Sequence, residues 1–357
     1  MKCFFSPSSF VFGFFFVSDR LCESATHKMS VLCCVVGFVG LVVVGKALWK
    51  FFGTLLRCAL GNPVKALQTY KPRAKEGEDK KPWAVVTGAS MGIGRADAEV
   101  LARAGYNLVL LALEDDKLAT AKEELEKCYG VQVETITVNF VELRGDDWKQ
   151  LGERIAALGD IAVLVNNAGL TVDPPGLLHE VDAAQCERIV AVNVGALTQL
   201  TRVLMPALLE HKEKTGARAL VVTMSSFVSR VPVPMLLVYS ASKKYTEQFS
   251  RALAAEYRGK VDVISAAPWW VATPMTRIRR ASLRVITPEA FANGVFKFAG
   301  ASHAEVDPYW FFALLDLLLG CVPTALVYKP IMSFMTKVRK SFFRRQARKA
   351  QEEKKDN

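Results

Sequence analysis

The stretch that decides the fold reads Trp83-Ala84-Val85-Val86-Thr87-Gly88-Ala89-Ser90-Met91-Gly92-Ile93-Gly94-Arg95. It opens on a continuous apolar run of the kind that forms a strand covered on both faces. Three glycines punctuate the turn that follows, and the apolar periodicity of residues 93–104 predicts a helix directly behind it. Strand, glycine turn and helix in this order make an anion site. Glycine lets the backbone approach a pyrophosphate, and the helix N-terminus offers free N–H groups at its positive dipole end. Thr87, Gly88, Ser90, Gly92, Ile93 and Gly94 are therefore candidate contacts to a dinucleotide.

Working outward, the same texture repeats. Apolar or β-branched runs at 108–111, 133–138, 161–165, 219–222 and 261–265 predict strands, and helical stretches such as 118–128 lie between them. Regular alternation with continuous apolar strands implies an α/β domain, a Rossmann-type doubly wound parallel sheet with helices on both faces. At 357 residues the chain has room for one such domain plus appendages.

The appendages are apolar and basic. Hydrophobic residues make up 51% of the chain and concentrate at its two ends, and the formal charge of +11 clusters beside them at 46–81 and 337–355. Anionic lipid headgroups explain that placement better than nucleic acid does. Residues 29–60 read as a membrane anchor, with no charge before Lys46, and the excess of basic residues behind them turns the downstream domain toward the cytosol. Residues 1–28 are an N-terminal extension of open meaning, either a signal-like segment around 3–17 or a stretch upstream of a start at Met29. Residues 61–82 read as a basic linker and 83–300 as the catalytic domain. Residues 301–336 read as an apolar membrane-associated segment, in which Pro323 favours an interfacial or re-entrant element over one straight span. A basic tail, 337–357, ends Lys354-Lys355-Asp356-Asn357. The eight cysteines and four histidines show no metal-like spacing and no histidine-based triad, so no metal is expected.

The chemistry lies between the strands. Asn166-Asn167-Ala168-Gly169 closes the 161–165 strand, Asn193 sits within a helical stretch, Ser225-Ser226 follows the 219–222 strand, and Tyr239-Ser240-Ala241-Ser242-Lys243 comes next. Residues four apart share one face of a helix, so Tyr239 and Lys243 are neighbours there. A lysine charge favours tyrosinate and brings a phenol of ordinary pKa about 10 toward working range, which suits Tyr239 to proton transfer at a carbonyl oxygen.

In this order and spacing the segments resemble the short-chain dehydrogenase/reductase family. Ser226, thirteen residues before Tyr239, matches the family's serine better than Ser225 does. The resemblance implies that Tyr239 is the acid, that Ser226 holds the substrate oxygen, that Lys243 also binds the nicotinamide ribose, and that Asn193 positions a relay water. It adds Asn139, Asn167, Ala168, Gly169, Pro268, Val271 and Thr273 to the cofactor contacts, together with Asn193, Tyr239 and Lys243. Ala112 stands where NAD-preferring relatives carry an acid, and Arg95 follows Gly94, so NADPH is the expected cofactor. Leu113 and Glu114 depart from the arginine many NADPH users carry there, and Asn139 replaces an aspartate, which leaves NADH open.

A sharper similarity, carried by Val231-Pro232-Val233-Pro234-Met235-Leu236-Leu237 and Pro268-Trp269-Trp270-Val271-Ala272-Thr273, is to the endoplasmic-reticulum very-long-chain 3-oxoacyl-CoA reductases, also called 17β-hydroxysteroid dehydrogenase type 12-like proteins. It implies reduction of a 3-oxoacyl-CoA in fatty-acid elongation at the endoplasmic-reticulum membrane, with the domain and dilysine-type C-terminus in the cytosol. Membrane lipids, other elongation enzymes and a second copy of the chain are its expected partners. A steroid or retinoid dehydrogenase would share the catalytic residues, and a non-catalytic scaffold of an elongation complex is the reading from outside enzymology.

Overall fold

A computed structural model describes residues 37–72, 81–300 and 305–353. The expectations for residues 1–28, for the start of the anchor, for residues 73–80 of the linker and for the dilysine end lie outside these residues.

Seven parallel strands form one sheet in the order β3-β2-β1-β4-β5-β6-β7. They are β1 (Trp83–Thr87), β2 (Asn107–Ala112), β3 (Val133–Thr137), β4 (Ile161–Asn166), β5 (Ala219–Met224), β6 (Val261–Ala266) and β7 (Glu305–Val306). The strands read as unbroken apolar runs because each face has its own core. Ala84, Val86, Leu108 and Leu110 pack into one core with α3 (Gly92–Arg103), α4 (Asp116–Tyr129) and α9 (Pro288–Phe296). Val85, Val109 and Leu111 pack into the other with α5 (Asp147–Ala156), α7 (Leu197–Thr215) and α8 (Leu237–Glu256). The strand order reverses direction between β1 and β4, which opens a crevice at the carboxyl ends of the strands.

The chain divides into two compact units at Gly53/Thr54. The helix α1 (Gly37–Leu60) is long and apolar enough to cross a bilayer. Its 24 residues extend about 36 Å against a hydrocarbon core of about 30 Å. Phe38, Leu41 and Trp49 stand mostly exposed on it, as lipid-facing side chains do, so α1 is a candidate membrane anchor.

Its last residues belong to the folded body. Thr54 is buried, the Lys297 ammonium donates to the Cys58 carbonyl at 2.5 Å, and Arg57 lies 5.3 Å over the Phe298 ring. The expected linker begins later than the sequence implies. α2 (Pro63–Leu67) and a 3₁₀ turn at Gln68–Tyr70 are core elements. Leu67 and Tyr70 are fully buried, Tyr70 Oη donates to Asp262 at 2.8 Å, and Tyr106 Oη donates to the Leu67 carbonyl at 2.7 Å.

At the other end, the apolar segment is a helical hairpin, α10 (Trp310–Gly320) and α11 (Thr324–Glu353), turning at Pro323. One helix, α11, runs across the expected boundary at 336/337 between the apolar segment and the basic tail. The two-residue strand β7 carries no sequence pattern of its own.

Candidate active site

The glycine turn is held from below by side chains. Thr87 Oγ1 accepts the backbone N–H groups of Asn167 and Ala168, each at 2.9 Å, and Asn167 Nδ2 donates to the carbonyls of Thr87 and Gly88 at 2.8 and 3.2 Å. Thr87 and Asn167 thus fix the crevice floor, with the Thr87 hydroxyl and the Asn167 amide nitrogen spent inside the protein. A Cβ on Gly94 would lie 2.3 Å from the Gly88 carbonyl oxygen, so no other residue fits there. Ser90, Gly92 and Ile93 lead into α3 with its N-terminus toward the crevice. Thr273, from the loop after β6, closes over Gly92 at 3.5 Å from where a Cβ would be. Val271 is buried beneath that loop, in a bridge to Ile286, and Pro268 accepts from Phe227 N–H at 3.0 Å.

The four expected catalytic residues come together at the ends of β4 and β5. Asn193 lies in a π-helical turn, Ala191–Ala196, whose widened ladder turns its side chain onto Leu170. Oδ1 accepts Leu170 N–H at 2.7 Å, while Nδ2 donates to the Leu170 carbonyl and to Ser242 Oγ, both at 2.9 Å. Lys243 is buried, donates to the Met224 carbonyl at 2.8 Å, and sits 5.8 Å from the centre of the Tyr239 ring. Gly169 faces this group: a Cβ there would approach Lys243 Nζ to 3.2 Å and Asn193 Oδ1 to 3.4 Å, so its missing side chain keeps the space open.

The two serines separate by partner. Ser225 Oγ donates to the Lys243 carbonyl at 3.0 Å, whereas Ser226 lies on the side of the Tyr239 phenol, near enough to influence its protonation. Ser225 is thus spent on the helix backbone, which leaves Ser226 as the serine beside the phenol.

The electrostatics differ from expectation in one respect. Burial pushes the Tyr239 phenol up from its ordinary value, and the neighbouring Ser226 hydroxyl offsets this in part. The expected depression by lysine is absent because burial also lowers the Lys243 ammonium, from 10.5 to about 8, and because that ammonium is turned to the Met224 carbonyl. A phenol held protonated is in the state a proton donor needs.

Arg95 and Asn139 stand apart. Arg95 Nη2 pairs with Glu124 at 2.8 Å, while Nη1 is buried and has no partner among the described residues. Asn139, past the end of β3, donates to Glu142 at 2.6 Å and accepts Val141 N–H at 3.2 Å, so it shapes the turn at the crevice rim. β2 ends at Ala112, and Asp115 beyond it caps α4 by accepting Leu118 N–H at 2.8 Å. Sequence reasoning missed Ser242 and Ser225 as supports for Asn193 and Lys243. Both lay inside the motifs, but nothing in their spacing marked them.

The fold and site have counterparts. The family model for short chain dehydrogenase matches residues 82–283. The very-long-chain 3-oxoacyl-CoA reductase of Aspergillus terreus (strain NIH 2624 / FGSC A1156) is 32% identical over 325 residues, covering 88% of this chain and 87% of that protein. The reductase of the same name from Scheffersomyces stipitis is 35% identical over 278 residues, covering 75% and 78%. Among solved structures, a short chain dehydrogenase from Escherichia coli CFT073 complexed with NADPH has a TM-score of 0.57 at 27% identity, covering 66% of this chain and 99% of that one. A short-chain dehydrogenase from Sphingobium yanoikuyae in complex with NADPH has a TM-score of 0.58 at 26% identity, covering 67% and 92%. With that breadth of similarity, the chain belongs to the short-chain dehydrogenase family of NAD(P)-dependent oxidoreductases.

Proposed function

We propose that this protein is a membrane-anchored, NADPH-dependent 3-oxoacyl-CoA reductase that works in very-long-chain fatty-acid elongation on the cytosolic side of the endoplasmic reticulum. The observation that carries the reading is the gathering of Asn193, Tyr239 and Lys243 at the ends of β4 and β5 in a chain similar, along 88% of its length, to a very-long-chain 3-oxoacyl-CoA reductase. The cofactor fits the residues present. The Gly88–Gly94 approach leaves room for a pyrophosphate against α3, and the partnerless, buried Nη1 of Arg95 offers a donor to a 2′-phosphate where Ala112 puts no acid in the way. NADPH, when bound, supplies the hydride that reduces the carbonyl carbon.

The chain's own residues manage the oxygen. Ser226 holds the carbonyl oxygen by its hydroxyl, and Tyr239, kept protonated by burial, donates its phenolic proton as negative charge develops there. Lys243, charged below about pH 8, binds the ribose hydroxyls and, once turned from the Met224 carbonyl toward the phenol, stabilises the resulting tyrosinate. The side chain of Asn193 is engaged with Leu170 and Ser242, which holds its π-helical turn beside the catalytic helix, where Asn193 would position a relay water. The apolar α1 and the basic residues 46–81 support an anchor with the domain in the cytosol.

The test is oxidation of NADPH and of NADH by the detergent-solubilised full chain with a long-chain 3-oxoacyl-CoA and, separately, a ketosteroid, with Tyr239→Phe as the blank. Acyl-CoA turnover that falls in the variant by roughly two to four orders of magnitude is the expected result. Turnover of the steroid alone replaces the substrate assignment, and no turnover by folded protein replaces the enzyme with a scaffold.

A further inference from the structure

We propose that the α10–α11 hairpin is the wall along which the substrate's acyl chain lies, and that Arg230 is the positioning residue that fastens this wall to the catalytic serine's turn. The inference rests on the acyl-CoA reading above and names the element that would make the enzyme prefer long chains.

Three observations converge. First, Tyr239 packs in an apolar cluster that the Rossmann core does not share: Val228, Val231 and Val233 from the segment after Ser226, and Leu319, Val327, Ile331 and Met335 from the hairpin. Along α11 the three hairpin positions 327, 331 and 335 recur every four residues, so one stripe of the helix faces the proton donor. The stripe thus borders the tyrosine whose hydroxyl a substrate has to reach. Second, α11 continues across the mouth of the site. Phe334 meets the edge of Trp270 at 6.1 Å, Arg277 lies 5.1 Å over Phe342, and Arg339 pairs with Glu180. One helix thereby touches the loops that follow β4, β5 and β6. Third, the hairpin's turn is uncharged from Leu317 to Tyr328, with Leu318 54% and Leu326 67% exposed. An aliphatic chain approaching from an apolar medium meets no charge along it.

Arg230 ties this wall to the chemistry. It ends the 3₁₀ turn that Ser226 begins, with its N–H donating to the Phe227 carbonyl at 3.0 Å. Its guanidinium, mostly buried, pairs with Asp307 at 3.1 Å and with Asp316 on α10. Asp307 lies at the root of the hairpin and Asp316 within its first helix, so one side chain fixes the hairpin's distance from Ser226. Breaking a buried charge pair on one side leaves the other charge uncompensated, so the geometry is strongly held.

The experiment compares kcat and KM of the full-length protein with a short-chain and a long-chain 3-oxoacyl-CoA for wild type, Arg230→Gln, Arg230→Lys and Ile331→Trp, with a thermal melt of each. The expected result for Arg230→Gln is a roughly tenfold fall in the long-to-short ratio of kcat/KM, lying in KM, since two methylenes of lost burial suffice for a factor of ten. Arg230→Lys, which keeps the charge, restores most of the ratio. Ile331→Trp, which fills the wall without touching the latch, lowers the ratio even if Arg230→Gln melts early. Equal losses on both substrates, or an unchanged ratio in folded Ile331→Trp, overturn the wall while leaving the reductase reading intact. Absence of wild-type turnover on either acyl-CoA overturns both.

Discussion

The β1–β4 side of the crevice and the β5–β7 side hold their active-site residues by different forces. Around β1 and β4, Thr87 and Asn167 knit two strand ends with bonds of 2.8 to 2.9 Å, and Gly94 approaches the Gly88 carbonyl too closely for a methyl group. Around β5 and the C-terminal hairpin, the Ser226 turn leans on an apolar cluster and on Arg230 with its two carboxylates. Backbone geometry is all or nothing, whereas apolar packing yields by degrees to volume-conserving change. The first suits a ligand of fixed shape and the second a ligand whose chain length varies.

The largest effect that would sharpen this contrast comes from Lys243, which lies between the two sides. Lys243→Met should lower kcat by roughly two to four orders of magnitude and yet stabilise the fold. A lysine whose pKa falls from 10.5 to about 8 on folding burdens the folded state by up to about 3 kcal/mol at neutral pH. Because the folded value is the lower one, the unfolded chain binds more protons between pH 8 and 10.5, and wild-type stability should rise across that window. Urea denaturation at several pH values would check it: the rise should vanish in Lys243→Met, and a rise that persists would assign the slope to another group.

Next in size is the tolerance of each side to one small change. Gly94→Ala forces a collision with backbone, so it should cost about 1–3 kcal/mol in stability and weaken NADPH binding roughly a hundredfold, an effect of about 3 kcal/mol. Met335→Leu, a volume-conserving swap in the hairpin cluster, should cost less than about 1.5 kcal/mol. Thermal melts and a fluorescence titration of NADPH measure both. Equal tolerance would erase the distinction between the two sides. Smaller still is Arg95→Gln, expected to raise KM for NADPH roughly tenfold by removing a charge-assisted pair while leaving KM for NADH in place. A like shift for both cofactors would confine Arg95 to its bond with Glu124.

How much of this was legible in the sequence follows the same division. The strands around β1, β2 and β4 were readable because apolar runs, glycines and the NNAG segment are local signals of local geometry, and Tyr239 and Lys243 were readable from a spacing of four. Ser226 was separable from Ser225 by spacing, and the structure supplies the reason, since Ser225 is spent on the Lys243 carbonyl. What depended on distant packing was not readable. Residues 63–70 looked like linker because only the fold reveals that Tyr70 reaches Asp262 across 192 positions. Arg230 meets Asp316 at a separation of 86, and no composition or period marks such a pair. The rise of the Tyr239 phenol depends on burial, which a motif does not encode.

The finest distinction concerns Ser242, which the motif contains and whose role only the geometry suggests. Its hydroxyl donates to the Tyr239 carbonyl at 2.8 Å and accepts from Asn193 Nδ2 at 2.9 Å, so it joins the tyrosine's helix to the π-helical turn. In Ser242→Ala, Asn193 keeps its two bonds to Leu170 and loses one donor's partner in a buried setting, a net change of about 1 kcal/mol. If that bond positions the turn for proton relay, kcat should fall about fivefold at unchanged NADPH affinity. Ser242→Thr, which retains the hydroxyl, should recover most of it. A loss of thermal stability with kcat intact would instead make Ser242 a strut of the fold alone. The crevice would then be rigid at the glycine turn and only packed at the catalytic helix, which would move the boundary between the two regimes from β5 to β4.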